Sequence, residues 1–185
     1  MKVYLDTGLF IDYLSSRGPI GSYLRSATRQ GRTPTDLATD AEKCLSLIEV
    51  RHEGMTSSLT FYEVEEAFYK VLSRSTAGIT HGKKYLIPTA RSVVPQLIIA
   101  TELHKIKVLD VNGSTIRQQV ENLALQLNSI RAADALHITT AISNNAEILI
   151  TTDSGILDLD NKIVNRAGHN IRCVDSDTGI NLLTA

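Results

Sequence analysis

Short β-branched and aromatic runs alternate along this chain with stretches whose apolar residues recur at helical spacing. Lys2-Val-Tyr-Leu leads directly into Asp6, and Glu147–Thr152 leads directly into Asp153. Met55–Leu59, Lys107–Asp110 and Ile171–Val174 have the same strand-like character, while Val64, Ala67, Phe68, Val71 and Leu72 trace one face of a helix. Strands separated by helices predict a parallel sheet covered on both faces. In such a sheet ligands bind outside the carboxyl ends of the strands, which makes Asp6 and Asp153 the first candidates for chemistry.

The intervening segments are uneven. Residues 15–35 are rich in Gly, Ser, Thr and Pro and carry Arg17, Arg25, Arg29 and Arg32 with no acid among them. They read as a long loop or weak helix, either a lid or a solvated basic flap. Residues 73–88 form a second polar break that includes Lys83 and Lys84. Ala41–Val50 reads as a helix, and Thr89–His104 as another with a kink at Pro95. Ser114 caps a helix expected to turn Ile116, Val120, Leu123, Ala124 and Leu127 inward, and Arg131–Ser143 is a further helix.

With 185 residues, 43% of them apolar, the chain suffices for one domain over residues 1–185 without covalent staples. A net charge of −1 sets up no global field toward nucleic acid or membrane, so an anionic partner has to be met by local patches. Cys44 and Cys173 lack CxxC spacing and fit reduced thiols. Asp6 and Asp12 interrupt any signal-like N-terminus, and the apolar run Val93–Ala100 is too short to span a bilayer. The expectation is a soluble cytoplasmic protein.

Two more acids join Asp6 and Asp153. Glu63 opens the helix that follows the second strand, and Asp134 lies in the first turn of its own helix. Carboxylates gathered on one rim repel one another unless a cation neutralises them, and hard divalent cations take oxygen ligands. Each acid also has an ordinary role. Thr60-x-x-Glu63 matches a capping box, Asp134 suits a helix dipole, and Asp153 suits a turn before Gly155. Asp6 is the exception, because a charge at an apolar strand-to-helix junction needs a partner.

The neighbours of these acids divide in the same way. Arg131, one turn before Asp134, pairs with that acid or touches a phosphate, the ion pair being the ordinary role. His137, one turn after it, reaches the pocket or is satisfied by backbone or water. Tyr62, Phe68 and Tyr69 suit core or dimer packing more readily than base stacking. Asp6-Thr-Gly, Asp153-Ser-Gly and Asp177-Thr-Gly imitate aspartic protease signatures, but long amphipathic helices stand where matching β lobes would be needed.

Taken in order, Val3-Tyr-Leu-Asp6-Thr7, Ser57-Ser-Leu-Thr60-x-x-Glu63, Ala133-Asp134-Ala135 and Ile148-Leu-Ile-Thr-Thr152-Asp153 resemble the PIN-domain nucleases, in particular the VapC-type toxins of toxin–antitoxin pairs. The resemblance runs from residue 1 to about Leu157, with Gly8 where the family often has Asn or Ser. It implies a three-layer α/β/α sandwich with a mainly parallel sheet and an acidic pocket that holds Mg²⁺ or Mn²⁺. Asp6, Glu63, Asp134 and Asp153 are then the catalytic, metal-binding acids, with Thr7 and Thr152 as polar supports.

The activity implied is endoribonuclease cleavage of RNA, and the partners implied are a second copy of the chain and a small antitoxin. Under that reading Arg17, Arg25, Arg29, Arg32, Lys83, Lys84 and Arg131 are candidates to guide RNA phosphates. The alternative is a PIN-like module without catalysis that binds RNA or protein. A receiver-like phosphotransfer domain ranks last, for want of a phosphate-sensing Lys on a late strand.

Overall fold

β1, Lys2–Leu5, is the hub of the sheet: Val3, Tyr4 and Leu5 are each fully buried. It pairs in parallel with β2, Glu53–Ser57, on one side and with β4, Ile148–Ile150, on the other. β3, Lys107–Leu109, lies outside β2, and β5, Arg172–Val174, lies outside β4. The computed structural model describes residues 1–76 and 83–185, apart from the side chains of residues 18–20 and 83. Among the described residues the strands form one five-stranded, all-parallel sheet in the order β3-β2-β1-β4-β5.

Alternation along the central strands divides the core into two layers. Val3, Leu5, Ile148 and Ile150 face α1 (Thr7–Ser15), α3 (Pro34–Arg51), α4 (Leu59–Ser75) and α6 (Val94–Leu103). Tyr4, Met55 and Leu149 face α9 (Ala132–Ser143) and α10 (Ser154–Leu157). The result is the expected three-layer α/β/α sandwich. Among the described residues no helix is long and apolar enough to cross a membrane.

Several local expectations change. Within residues 15–35, α2 forms at Gly18–Leu24, and Thr33 starts α3 earlier than expected with a capping box to Asp36. The arginines of this segment are not free. Arg25 and Arg29 both bind the fully buried Asp12 of α1, Arg17 binds Glu42, and Arg32 binds Asp40. Helix also claims much of residues 73–88: α4 continues to Ser75 and α5 is Lys83–Arg91, while residues 77–82 lie outside the described residues. Thr89–His104 is not one kinked helix, because α5 ends at Arg91 and α6 begins with Pro95 in its first turn.

α7, Gly113–Glu121, turns Ile116 and Val120 outward rather than inward. It meets α9 through polar groups, with Ser143 Oγ donating to Gln118 Oε1 at 2.6 Å. Asn122 is extended and caps α8, Leu123–Leu127, so the apolar spacing across the junction does not build one face. Leu125 enters the core in place of Leu123 and Leu127.

Candidate active site

Parallel pairing puts the carboxyl ends of β1, β2 and β4 on one rim, and there a cavity of about 510 Å³ opens. Asp6, Glu63, Asp134 and Asp153 all line it, together with Thr7, Gly8 and Thr152. Asp6 occupies the N-cap position of α1 without capping it. Its Oδ2 instead accepts from Thr151 Oγ1 at 2.8 Å, and its Oδ1 lies 3.7 Å from His137 Nε2.

Glu63 reaches the cavity because the capping box suggested by Thr60 does not form. Ser58 is the N-cap of α4, which puts Thr60 inside the helix, where its hydroxyl pairs with Thr56 at 2.8 Å. Glu63 Oε2 accepts instead from the Thr7 hydroxyl and from His137 Nε2, the latter at 2.8 Å. His137 is fully buried, and the Tyr4 hydroxyl lies 2.8 Å from its Nδ1. Two carboxylates beside Nε2 require a hydrogen on that nitrogen, so His137 donates toward the acids.

The electrostatics follow from this placement. Burial, with repulsion from Glu63, holds the Asp6 carboxyl above its ordinary range against the opposing pull of His137 and Thr151. Burial works in the same direction on Glu63, but the His137 contact and the Thr7 hydroxyl prevail and bring it below the usual value. For His137 burial lowers and the two acids raise, and the acids win. Among the described residues Asp134 has no such counter-charge in contact. Burial and then Asp153, Asp6 and Glu63 push it up to about 6.

Asp153 performs its ordinary role and lines the cavity as well: its Oδ1 accepts from the backbone N–H of Gly155 and Ile156 at α10. Thr152 explains Gly8, since a Cβ on Gly8 would collide with Thr152 Oγ1. Among the described residues Arg131 has no carboxylate within ion-pair distance, so the expected pair with Asp134 is absent. It is exposed on a smaller cavity that shares Asp134 and Asp153 with the first. Lys84 is exposed on α5, and the Lys83 side chain lies outside the described residues.

Sequence reasoning leaves the role of His137 open between pocket and backbone, and it misses Thr151 and Lys70. In the sequence His137 is only a turn-spaced neighbour of Asp134, Thr151 stands beside the favoured Thr152, and Lys70 sits two turns after Glu63 on the cavity wall. The spacing Glu63, Ala67, Lys70 is the available signal for the last.

The sequence profile of the PIN domain matches residues 36–162, more than half of the chain. The chain belongs to the PIN domain family. No curated protein and no solved structure matches it. The matched span of this PIN domain contains β2, β3 and β4, and Asp6 comes to the same rim because β1 is paired between β2 and β4. PIN domains are generally metal-dependent nucleases.

The donors present fit a divalent cation. A carboxylate oxygen of Asp6 and one of Glu63 lie within 4.8 Å of each other beside the His137 ring, and carboxylate oxygens are donors of the hard type. Burial first, and then the neighbouring acids Asp153, Asp6 and Glu63, raise the Asp134 carboxyl on the same rim.

Proposed function

We propose that the chain is a divalent-metal-dependent endoribonuclease of the VapC toxin type, using Mg²⁺ or Mn²⁺ held by Asp6, Glu63, Asp134 and Asp153. The observation that carries this reading is the gathering of four acids on one cavity, where burial and mutual repulsion hold Asp134 near neutrality at about 6. A cation bound there would lower the pKa of an attacking water and stabilise the leaving oxygen. Thr7 and His137 hold Glu63 in place, Thr151 holds Asp6, and Thr152 closes the wall beside Gly8.

The toxin reading adds a homodimer and an antitoxin that blocks the cavity. The test is cleavage of single-stranded RNA with Mg²⁺ or Mn²⁺ by the wild type and by Asp6→Asn. Activity confined to the wild type supports the assignment, and equal activity in both overturns it.

The Glu63–His137 contact favours one second reading, a pocket that neutralises itself and binds RNA or protein without catalysis. Calorimetry separates the two, because this module predicts no carboxylate-dependent Mn²⁺ uptake.

A further inference from the structure

The acidic cavity is one of a row. Glu63, Ala67 and Lys70 form its α4 wall, while Glu65 and Tyr69, on the other flank of the same helix, line a second cavity of about 320 Å³. Tyr62 and Glu66 stand on the crest between them and line both. On the opposite side Asp134 and Asp153 are shared with a third cavity, of about 230 Å³, that Arg131 borders. The helix after β2 and the acid after β4 flank Asp6 because β1 lies between those strands, so the groove, the acidic cavity and the third opening follow one another through the residues they share.

The groove beyond Tyr62 differs chemically from the acidic cavity. Its charges cancel locally: Arg91 bonds Glu65 at 3.2 Å, and Lys70 lies 3.4 Å from Glu66. Among the described residues, what remains for an occupant is the rings of Tyr62 and Tyr69 and the side chain of Ile87, with Tyr62 65% exposed. Two phenol rings and an aliphatic wall suit a flat, neutral ring. The volume sits at the low end of small-ligand pockets, roughly 300–1,000 Å³. On the far flank, the exposed Arg131, with no carboxylate partner among the described residues, suits a phosphate oxygen.

We propose that the Tyr62–Tyr69 groove is a base-binding subsite. It stacks an unpaired nucleobase next to the phosphate at the acidic cavity, and the strand continues past Arg131. This rests on the ribonuclease reading and specifies its substrate as single-stranded, because paired bases are already stacked and present no free face. Tyr62 is then a specificity-determining residue for which base lies beside the cut.

The experiment is fluorescence anisotropy with a short labelled single-stranded RNA and a set of oligomers each carrying one abasic position. Binding is measured in the Asp6→Asn background, and cleavage in the wild-type background. Tyr62→Ala is expected to weaken binding about tenfold, with Tyr62→Phe close to wild type and Tyr69→Ala changed in the same direction. One abasic position should erase the difference in affinity between the parent and Tyr62→Ala.

Equal affinity of parent and Tyr62→Ala for intact RNA overturns the subsite, as does a loss that no abasic position erases. A changed oligomeric state with unchanged RNA affinity also overturns it and marks the face as a protein interface. Cleavage that ignores Tyr62 removes the subsite and keeps the nuclease. Tyr62-dependent, abasic-sensitive binding without cleavage in Mg²⁺ or Mn²⁺ keeps the subsite and removes the nuclease.

Discussion

His137 Nε2 and Glu63 Oε2 lie 2.8 Å apart although the two residues are separated by 74 positions. The contact joins α9 to α4, and through the Tyr4 hydroxyl at 2.8 Å from Nδ1 it also reaches the central strand. His137 is thereby a positioning group for Glu63, held in orientation from its other ring nitrogen. His137→Ala should lower Mn²⁺ affinity about 10- to 100-fold, the usual loss when a group orienting a metal ligand is removed. Calorimetry with Mn²⁺ checks this, and Tyr4→Phe, which keeps the imidazole, should fall between wild type and His137→Ala.

Gly8 and Thr152 constrain each other. A Cβ on Gly8 collides with Thr152 Oγ1 and comes within 2.8 Å of its Cγ2. Gly8→Ala should therefore destabilise the fold by about 1–3 kcal/mol, the range for overpacking. Adding Thr152→Ala removes both of those contacts and should recover part of the loss. Urea denaturation of the two single variants and the double variant measures the coupling.

The rim acids make stability depend on pH. Asp134 is held at about 6 in the fold against an ordinary value of 3.8, so folding takes up a proton between those values. Stability without metal falls as pH rises through that window, and the loss is complete above it. Asp134→Asn should accordingly have a higher Tm than wild type above pH about 6 in EDTA, a gain that shrinks toward pH about 4. Mn²⁺ binding to the wild type should weaken as pH falls through the same window, since the ligand must be deprotonated.

Asp12 anchors the arginine-rich segment. It is 0% exposed and accepts from Arg25 Nε at 2.7 Å and Arg29 Nη2 at 2.8 Å. Asp12→Ala leaves two guanidinium groups without their acid and should cost about 3–5 kcal/mol. Lys2→Ala, which breaks an exposed pair with Glu53, should stay within about 1 kcal/mol. Chemical denaturation distinguishes the two.

The layered fold and the four rim acids were legible in the chain order. A strand followed at once by an acid, as at Asp6 and Asp153, is a pattern of neighbours, and parallel topology then puts such ends on one rim. Glu63 and Asp134 were visible as early helix residues for the same reason.

Other features depended on residues far away along the chain. Arg25 and Arg29 look free in the sequence because no acid is near them within their own segment, and Asp12 meets them only when α1 packs there. Thr60 has the spacing of a cap, but Ser58 takes that place and Thr56 takes its hydroxyl. Ile116 and Val120 have the spacing of a buried face, yet α7 meets α9 through polar contacts. Periodicity and strand-end acids record the local backbone, which neighbouring residues govern. Hydrogen-bond partners, buried charges and the walls of a cavity record which distant surfaces touch, and that is settled only when the whole core packs.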